Sequence, residues 1–471
     1  MQLPRDRNAL WRSFASSDTG RAAGLAVAVI ATNVIALVFT VVFARVLGAD
    51  GYGSLAVLIS AFIILMVPGS ALQIAVAREV SKAVADASAD AGAGVRRWTG
   101  RLALATVAVA VAVIPLRELI AATVNVDEEW AAAAVPVTAM LWALISVERG
   151  ALQGFQQYRT VGISMVAEGG ARLLFGLALV GLGLDVTGAF LGTPLSLLAV
   201  AAALAVPLHG HLPAPRAAAA VAARLRDLLR GACAPVLGLT LLFVLQEVHV
   251  IVVKHEATDD AASSYAVAAV AAKAIIWVAI GLGLFLLPET ARRARLGIDA
   301  RPVLLRTLGL IAVLGLPMVL LYAAAGEPLL RIVFGEDLTA AVAALPWLGV
   351  AMSLLACSYL SVQYLLGLGR SRFIWLLAVA ALVEVGLLAG IGANLEQIAV
   401  ALMGLQAVCA AVIVTLSFRT YADAPQDGVV AEALDLGVLP GEVAVEGAHA
   451  ARPAGAVGLG LGRHRAEPAD H

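Results

Sequence analysis

Long apolar runs alternate along this chain with short connections that are either arginine-bearing or acidic. A helix needs about 20 mostly apolar residues to cross ~30 Å of hydrocarbon at ~1.5 Å per residue. The stretches 22–44, 53–77, 186–208, 307–326 and 397–418 contain no Asp, Glu, Lys or Arg. The run 338–369 is also free of them and is too long for one span. Shorter or interrupted stretches, at 102–120, 130–147, 160–183, 231–253, 265–288 and 373–393, fill the gaps. The pattern predicts an all-α polytopic membrane protein with twelve transmembrane helices.

Arg5, Arg7, Arg12 and Arg21 precede the first run and resemble a signal-peptide n-region. That run is too long for a signal peptide, lacks a clear cleavage site and leads directly into further spans, so it reads as a retained helix. The positive-inside rule supports the count. With the N-terminus in the cytoplasm, most of the 32 Lys and Arg fall on the cytoplasmic side. Only Arg45, Arg117, Lys254 and Arg331 fall in outer loops, and only Arg172 and Lys273 inside spans. The outer loops are acidic, at Asp127, Glu128, Glu129, Asp259, Asp260, Glu336 and Asp337. Both termini are therefore expected in the cytoplasm of a cell-membrane protein.

Composition agrees. The chain is 61% hydrophobic and 14% charged, against ~25% charged in an average soluble domain. Mean hydropathy is +0.93. A soluble enzyme, a disordered protein and a coiled coil are excluded, and a net charge of -1 gives no reason to expect nucleic acid. Cys233, Cys357 and Cys409 lie in apolar stretches without a CxxC, and read as small core residues.

Six spans fall on each side of a Pro- and Arg-bearing connection. The expected organisation is a six-helix lobe over 1–208, a cytoplasmic linker and interfacial helix over 209–230, a second lobe over 231–419 and a disordered cytoplasmic tail over 420–471. An internal repeat supports the division. Tyr52 and Tyr265 follow equivalent outer loops 213 residues apart, and the same offset relates Gly154 to Gly367, Arg159 to Arg372 and Pro115 to Pro328. Lobes of six spans start on the same side of the membrane. A pseudo-two-fold axis along the membrane normal would relate them, with a central cavity between.

The stretch Phe43-Ala44-Arg45-Val46-Leu47-Gly48-Ala49-Asp50-Gly51-Tyr52-Gly53 resembles the end of the first helix in bacterial polysaccharide flippases of the multidrug/oligosaccharidyl-lipid/polysaccharide superfamily. Ala77-Arg78-Glu79-Val80, Arg149-Gly150-Ala151-Leu152-Gln153-Gly154, Val253-Lys254-His255 with Tyr265, and Leu330-Arg331-Ile332-Val333-Phe334-Gly335 are similar to further marks of that family. The likeness covers roughly 10–420. It implies a two-lobed alternating-access transporter that flips an undecaprenyl-diphosphate-linked oligosaccharide, an O-antigen-like glycan, from the cytoplasmic to the outer leaflet. His249 departs from the pattern, because relatives often carry an acid there. The implied partners are membrane lipid, the lipid-linked glycan, and a glycan polymerase or glycosyltransferases.

A diphosphate cannot enter hydrocarbon unpaired, so such cargo needs cationic anchors. A charge placed at mid-membrane costs at least ~2.5–3.5 kcal/mol and invites a functional reading. Arg172 and Lys273 lie inside spans, and Arg45 and Lys254 near outer helix ends; these four are the phosphate-binding candidates. Ordinary snorkelling to headgroups is the plainer reading of Arg45 and Lys254. Arg78 and Arg149 are candidates for cytoplasmic substrate intake, though positive-inside bias alone accounts for them. Glu168, Glu247 and Glu384 are the buried-acid or ion-pair candidates. Glu168 lies four residues before Arg172, where a structural pair would form, and a Glu247–Lys273 pair would account for both of those residues.

No metal motif, cofactor signature or catalytic constellation is present, and without GxxxxGK[ST] no built-in ATPase is expected. The chain is expected to be a monomer and not an enzyme. The alternatives are a multidrug and toxin extrusion antiporter and a glycan polymerase or ligase. The first needs a carboxylate in a lobe cavity, and the first span has none. The second needs a sizeable outer loop, and every such loop here is short.

Overall fold

The computed structural model describes residues 18–85, 91–210 and 219–420. The expected tail lies outside the described residues apart from Thr420, as do 211–218 of the expected linker. Every regular element among the described residues is helical. The first set of helices is α1 (Asp18–Ala85), α2 (Ala91–Ala112), α3 (Arg117–Val124), α4 (Glu129–Gly154), α5 (Tyr158–Gly181) and α6 (Asp185–His209). The second set is α7 (Ala219–Glu256), α8 (Asp259–Ala272), α9 (Ala274–Arg295), α10 (Arg301–Phe334), α11 (Leu345–Gly367), α12 (Phe373–Ala389) and α13 (Leu395–Arg419).

Nine helices among the described residues are long and apolar enough to cross a membrane, or ten if α2 and α3 form one span bent by 87°. Pro115 lies in that bend, where its ring and missing N–H disfavour a continuous helix. α1 is not one straight rod. Gly48 has φ 62° and ψ -159°, a conformation open to glycine and strained for other residues, and it divides α1 in two. α12 is apolar apart from Glu384 but has only 17 residues. The long charge-free run 338–369 resolves into a short 3-10 turn at Val342–Ala344 followed by α11.

Within the first set, α1 packs on α4, α5 and α6, and α5 on α6. Within the second, α11 packs on α9, α10 and α13, and α12 lies against α7 and α13. The two sets meet mainly where α1 touches α7 and α8. Small residues allow close approach: a Cβ on Gly150 would stand 2.4 Å from the Gln73 carbonyl, and one on Gly192 2.6 Å from the Gly176 nitrogen. Phe43, Phe190, Tyr265 and Phe373 are buried between helices, whereas Leu104, Trp375 and Leu382 are more than two-thirds exposed. An apolar side chain that is costly in water is at home against lipid, so the exposed apolar faces fit a membrane protein.

Candidate functional site

Several of the polar residues that interrupt these apolar helices meet where α1 touches α7 and α8. Glu247 of α7 is 1% exposed. Its Oε2 accepts from Lys273 Nζ at 2.7 Å and from Ser60 Oγ of α1 at 2.7 Å. Its Oε1 accepts from Gln246 Nε2 at 2.9 Å. The carboxylate thus receives three donors, as a buried charge requires. Ser60 and Lys273 are 213 residues apart, the offset of the sequence repeat. Ser60 and Lys273 thus reach the same carboxylate oxygen, one as a hydroxyl and one as a cation.

Lys273 occupies a break in its own span. It ends α8 and begins α9, and the Ile276 N–H returns to its carbonyl with the tighter i→i+3 spacing. No Pro or Gly marks the break. The network continues through His249, fully buried, whose Nε2 lies 2.9 Å from the Gln246 carbonyl and whose Nδ1 lies 3.1 Å from the Tyr265 hydroxyl. The two rings meet edge to face at 5.6 Å.

Arg172 of α5 is half-buried, with its guanidinium carbon 4.0 Å from the Phe39 ring centroid. Its Nε is buried without a hydrogen-bond partner, and it forms no ion pair among the described residues. The buried Tyr52 lies within electrostatic reach of both Arg172 and Glu247, so the two candidates border one region. Glu168 does not pair with Arg172. It binds Arg149 instead, with Nη2 to Oε2 at 2.8 Å, while Arg149 Nε donates to Ser164 Oγ at 3.0 Å. Side chains four apart on one helix compete with partners on neighbouring helices, and here α4 wins over the local spacing. Arg149 is 3% exposed, so the residue expected to collect substrate is a buried structural cation. Arg78 is half-buried near the end of α1.

Arg45 and Lys254 are engaged at the arginine-poor end. Arg45 Nε donates to the Val333 carbonyl at 3.0 Å and its Nη2 to that of Ile332, so a cation of the first set caps the C-terminal turn of α10 in the second. Lys254 is buried and bound to Asp259, and its carbonyl accepts from Asn125 Nδ2 at 2.6 Å. Ser263 completes this seam by donating to the Ala49 carbonyl and accepting from Gly53 N–H at 2.7 Å. A Cβ on Gly53 would lie 2.9 Å from Ser263 Oγ, so the contact requires glycine. The serines at 60 and 263 sit in apolar runs, where nothing in the pattern marks them as bridging residues.

Glu384 of α12 stands apart from all these pairs. It is fully buried, and Gln406 Nε2 of α13 lies 3.4 Å from its Oε2.

The fold is similar to that of transporters of the multidrug/oligosaccharidyl-lipid/polysaccharide superfamily. It is similar to an inward-facing multidrug-resistance MATE family transporter of that superfamily, with TM-score 0.69, 14% identity, and coverage of 82% of this chain and 94% of the other. An outward-facing MATE family transporter gives TM-score 0.63 at 15% identity, with coverage of 88% and 98%. A superfamily transporter from Pyrococcus furiosus, described as having a binding pocket of reversed polarity, gives TM-score 0.56 at 14% identity, with coverage of 86% and 96%. The family model for polysaccharide biosynthesis proteins matches residues 22–290, and the chain belongs to that family. No curated protein matches the sequence.

Proposed function

We propose that this protein carries a lipid-linked oligosaccharide, joined through a diphosphate, from the cytoplasmic to the outer leaflet of the cell membrane for surface polysaccharide biosynthesis. The reading uses twelve spans in two lobes of six. Counting α1 as two spans divided at Gly48, α2 with α3 as one and α12 as one brings the nine long helices to twelve. The observation that carries the reading is Arg172, a cation set among spans with no carboxylate bound to it. Removing such a charge from water is unfavourable unless something anionic repays it. A diphosphate supplies that charge in a family whose name is polysaccharide biosynthesis.

Lys273 enters the same mechanism differently. Its ammonium is committed to Glu247, so it binds phosphate only by exchanging that partner. A helix break beside a paired buried cation is the kind of site where transporters place substrate contacts. Arg45, Lys254 and Ser263 then hold the outer side shut while the cytoplasmic side receives cargo, and rocking of the lobes exchanges the two states.

The test is translocation in proteoliposomes holding the purified protein and a fluorescent polyprenyl-diphosphate oligosaccharide, read as loss of accessibility to an external quencher. Wild type is expected to move the lipid, and Arg172→Gln to lose most of that movement at unchanged protein level. Efflux of cationic drugs without glycan movement would instead favour the extrusion reading, for which the buried acids Glu247 and Glu384 are the relevant features.

A further inference from the structure

The second set of helices holds a carboxyl group that the proposed phosphate chemistry does not use. Glu384 is 0% exposed, as is Gln406, and the two face each other from α12 and α13. Gln406 Nε2 donates to Glu384 Oε2 at 3.4 Å. Glu384 Oε1 and Gln406 Oε1 are both buried and both without a hydrogen-bond partner. These orphans are two acceptors with no donor between them. One hydrogen atom on Glu384 Oε1 supplies the missing donor, removes the charge and gives the Gln406 oxygen something to accept. The pair is one proton short of a doubly bonded carboxylic acid–amide couple.

No cation competes for this role among the described side chains. α12 packs against α13 and α7. From α13 the titratable neighbour is Cys409, a thiol. On α7, Glu247 is bound to Lys273, His249 to Tyr265, Lys254 to Asp259 and His255 to the Ile251 carbonyl, while Glu256 ends the helix. Tyr265 of α8 is within electrostatic reach of Glu384, and it too is uncharged in its ordinary form. An isolated carboxylate in such surroundings costs several kcal/mol, whereas the neutral acid costs far less. A metal ion would need a fuller shell of ligands, and no group of three or more His, Cys, Asp or Glu suited to one occurs among the described residues.

We infer that Glu384 and Gln406 form an exchangeable proton site in the core of the second helix set, in which Glu384 takes up one proton from water as Oε1–H and returns it there. This goes beyond the glycan reading and stands without it. Tyr265 and His249 connect the surroundings of this site to Gln246 and Glu247, where the two helix sets meet. Uptake or release of the proton therefore changes the field at the residues that bridge the sets.

The test is infrared difference spectroscopy of the purified, reconstituted full chain, titrated in pH without any glycan. Wild type is expected to show a protonated-carboxyl C=O band that shifts in heavy water and disappears in Glu384→Gln. Gln406→Leu removes the acceptor and should move the same band upward in frequency, while Glu384→Asp, which keeps the acid, should retain a band. Absence of the band from wild type at every pH, or its persistence unchanged in Glu384→Gln, overturns the proposal. Loss of the wild-type band on adding sodium at fixed pH would also overturn it, in favour of a cation site. None of these outcomes depends on glycan movement, so a failure here leaves the flippase reading to its own assay.

Discussion

Among the described residues, a cation in the first set of helices and an acid in the second each stand without an ion pair. The first contains Arg172, a cation with an aromatic face against it and no carboxylate bound. The second contains Glu384, an acid with an amide beside it and no cation bound. Between them the Glu247–Lys273 pair, shared with Ser60, is fully satisfied. The two sets therefore differ in the chemistry they bury. The Glu247–Lys273 pair and Ser60 hold the sets together, whereas Arg172 and Glu384 keep buried polar atoms without a partner.

The comparison breaks most sharply at the satisfied pair. Lys273→Ala leaves Glu247 buried without its cation and should lower stability by ~3–5 kcal/mol, read from thermal or denaturant unfolding in detergent. Combining Lys273→Met with Glu247→Gln should recover most of that loss, because the uncompensated charge is gone. If the single variant is as stable as wild type, the pair is not structural. The unsatisfied cation should behave in the reverse manner. Arg172→Gln is expected to cut translocation by ~10–100-fold, the worth of a charge-assisted hydrogen bond. Its cost in stability should be only about 1 kcal/mol, from the lost contact with Phe39.

The seam at the arginine-poor end gives a smaller effect. Ser263→Ala removes two hydrogen bonds between the sets, worth ~1–2 kcal/mol together. Hydrogen exchange at the Gly53 amide should then quicken roughly 5- to 30-fold, because local protection falls by that energy. The smallest effect is expected at Glu128, in the loop between α3 and α4. Burial pushes its carboxyl above the usual range, with Asp127 adding to the shift, while a backbone hydrogen bond and Lys254 oppose it. The folded state therefore holds this proton more tightly than the unfolded chain. The resulting stability is present at pH below the ordinary carboxylate value and is lost as pH rises through the elevated one. Wild type should lose stability relative to Glu128→Gln across that window, and a flat difference would show that the carboxyl is not desolvated.

The spans were largely legible in the sequence, since a bilayer imposes length and apolarity on every one of them. Arg172, Lys273, Glu247 and Glu384 were legible for the same reason: a charged letter in an apolar run stands out. Their partners were less so. The Glu247–Lys273 pair was foreseeable from adjacent spans, but Glu168 chose Arg149 over Arg172, because side-chain reach between helices is set by packing and not by chain spacing. The 87° bend between α2 and α3 had a marker in Pro115, whereas the break at Lys273 had none. Ser60, Ser263 and Gly53 carry the contacts between the sets through hydroxyls and a missing Cβ, which a hydropathy pattern does not register. Gln406, a polar residue in the last span, faces Glu384 across two helices.

The shortness of α12 reaches beyond the protein itself. Seventeen helical residues rise ~26 Å, less than the ~30 Å of a typical hydrocarbon layer. Read as a span, this helix obliges neighbouring lipids to compress or its flanking residues to stretch toward the headgroups, at a fraction of a kcal/mol for each ångström. On that reading the leaflet would thin locally along the second helix set, and activity should decline as the acyl chains of the host membrane are lengthened.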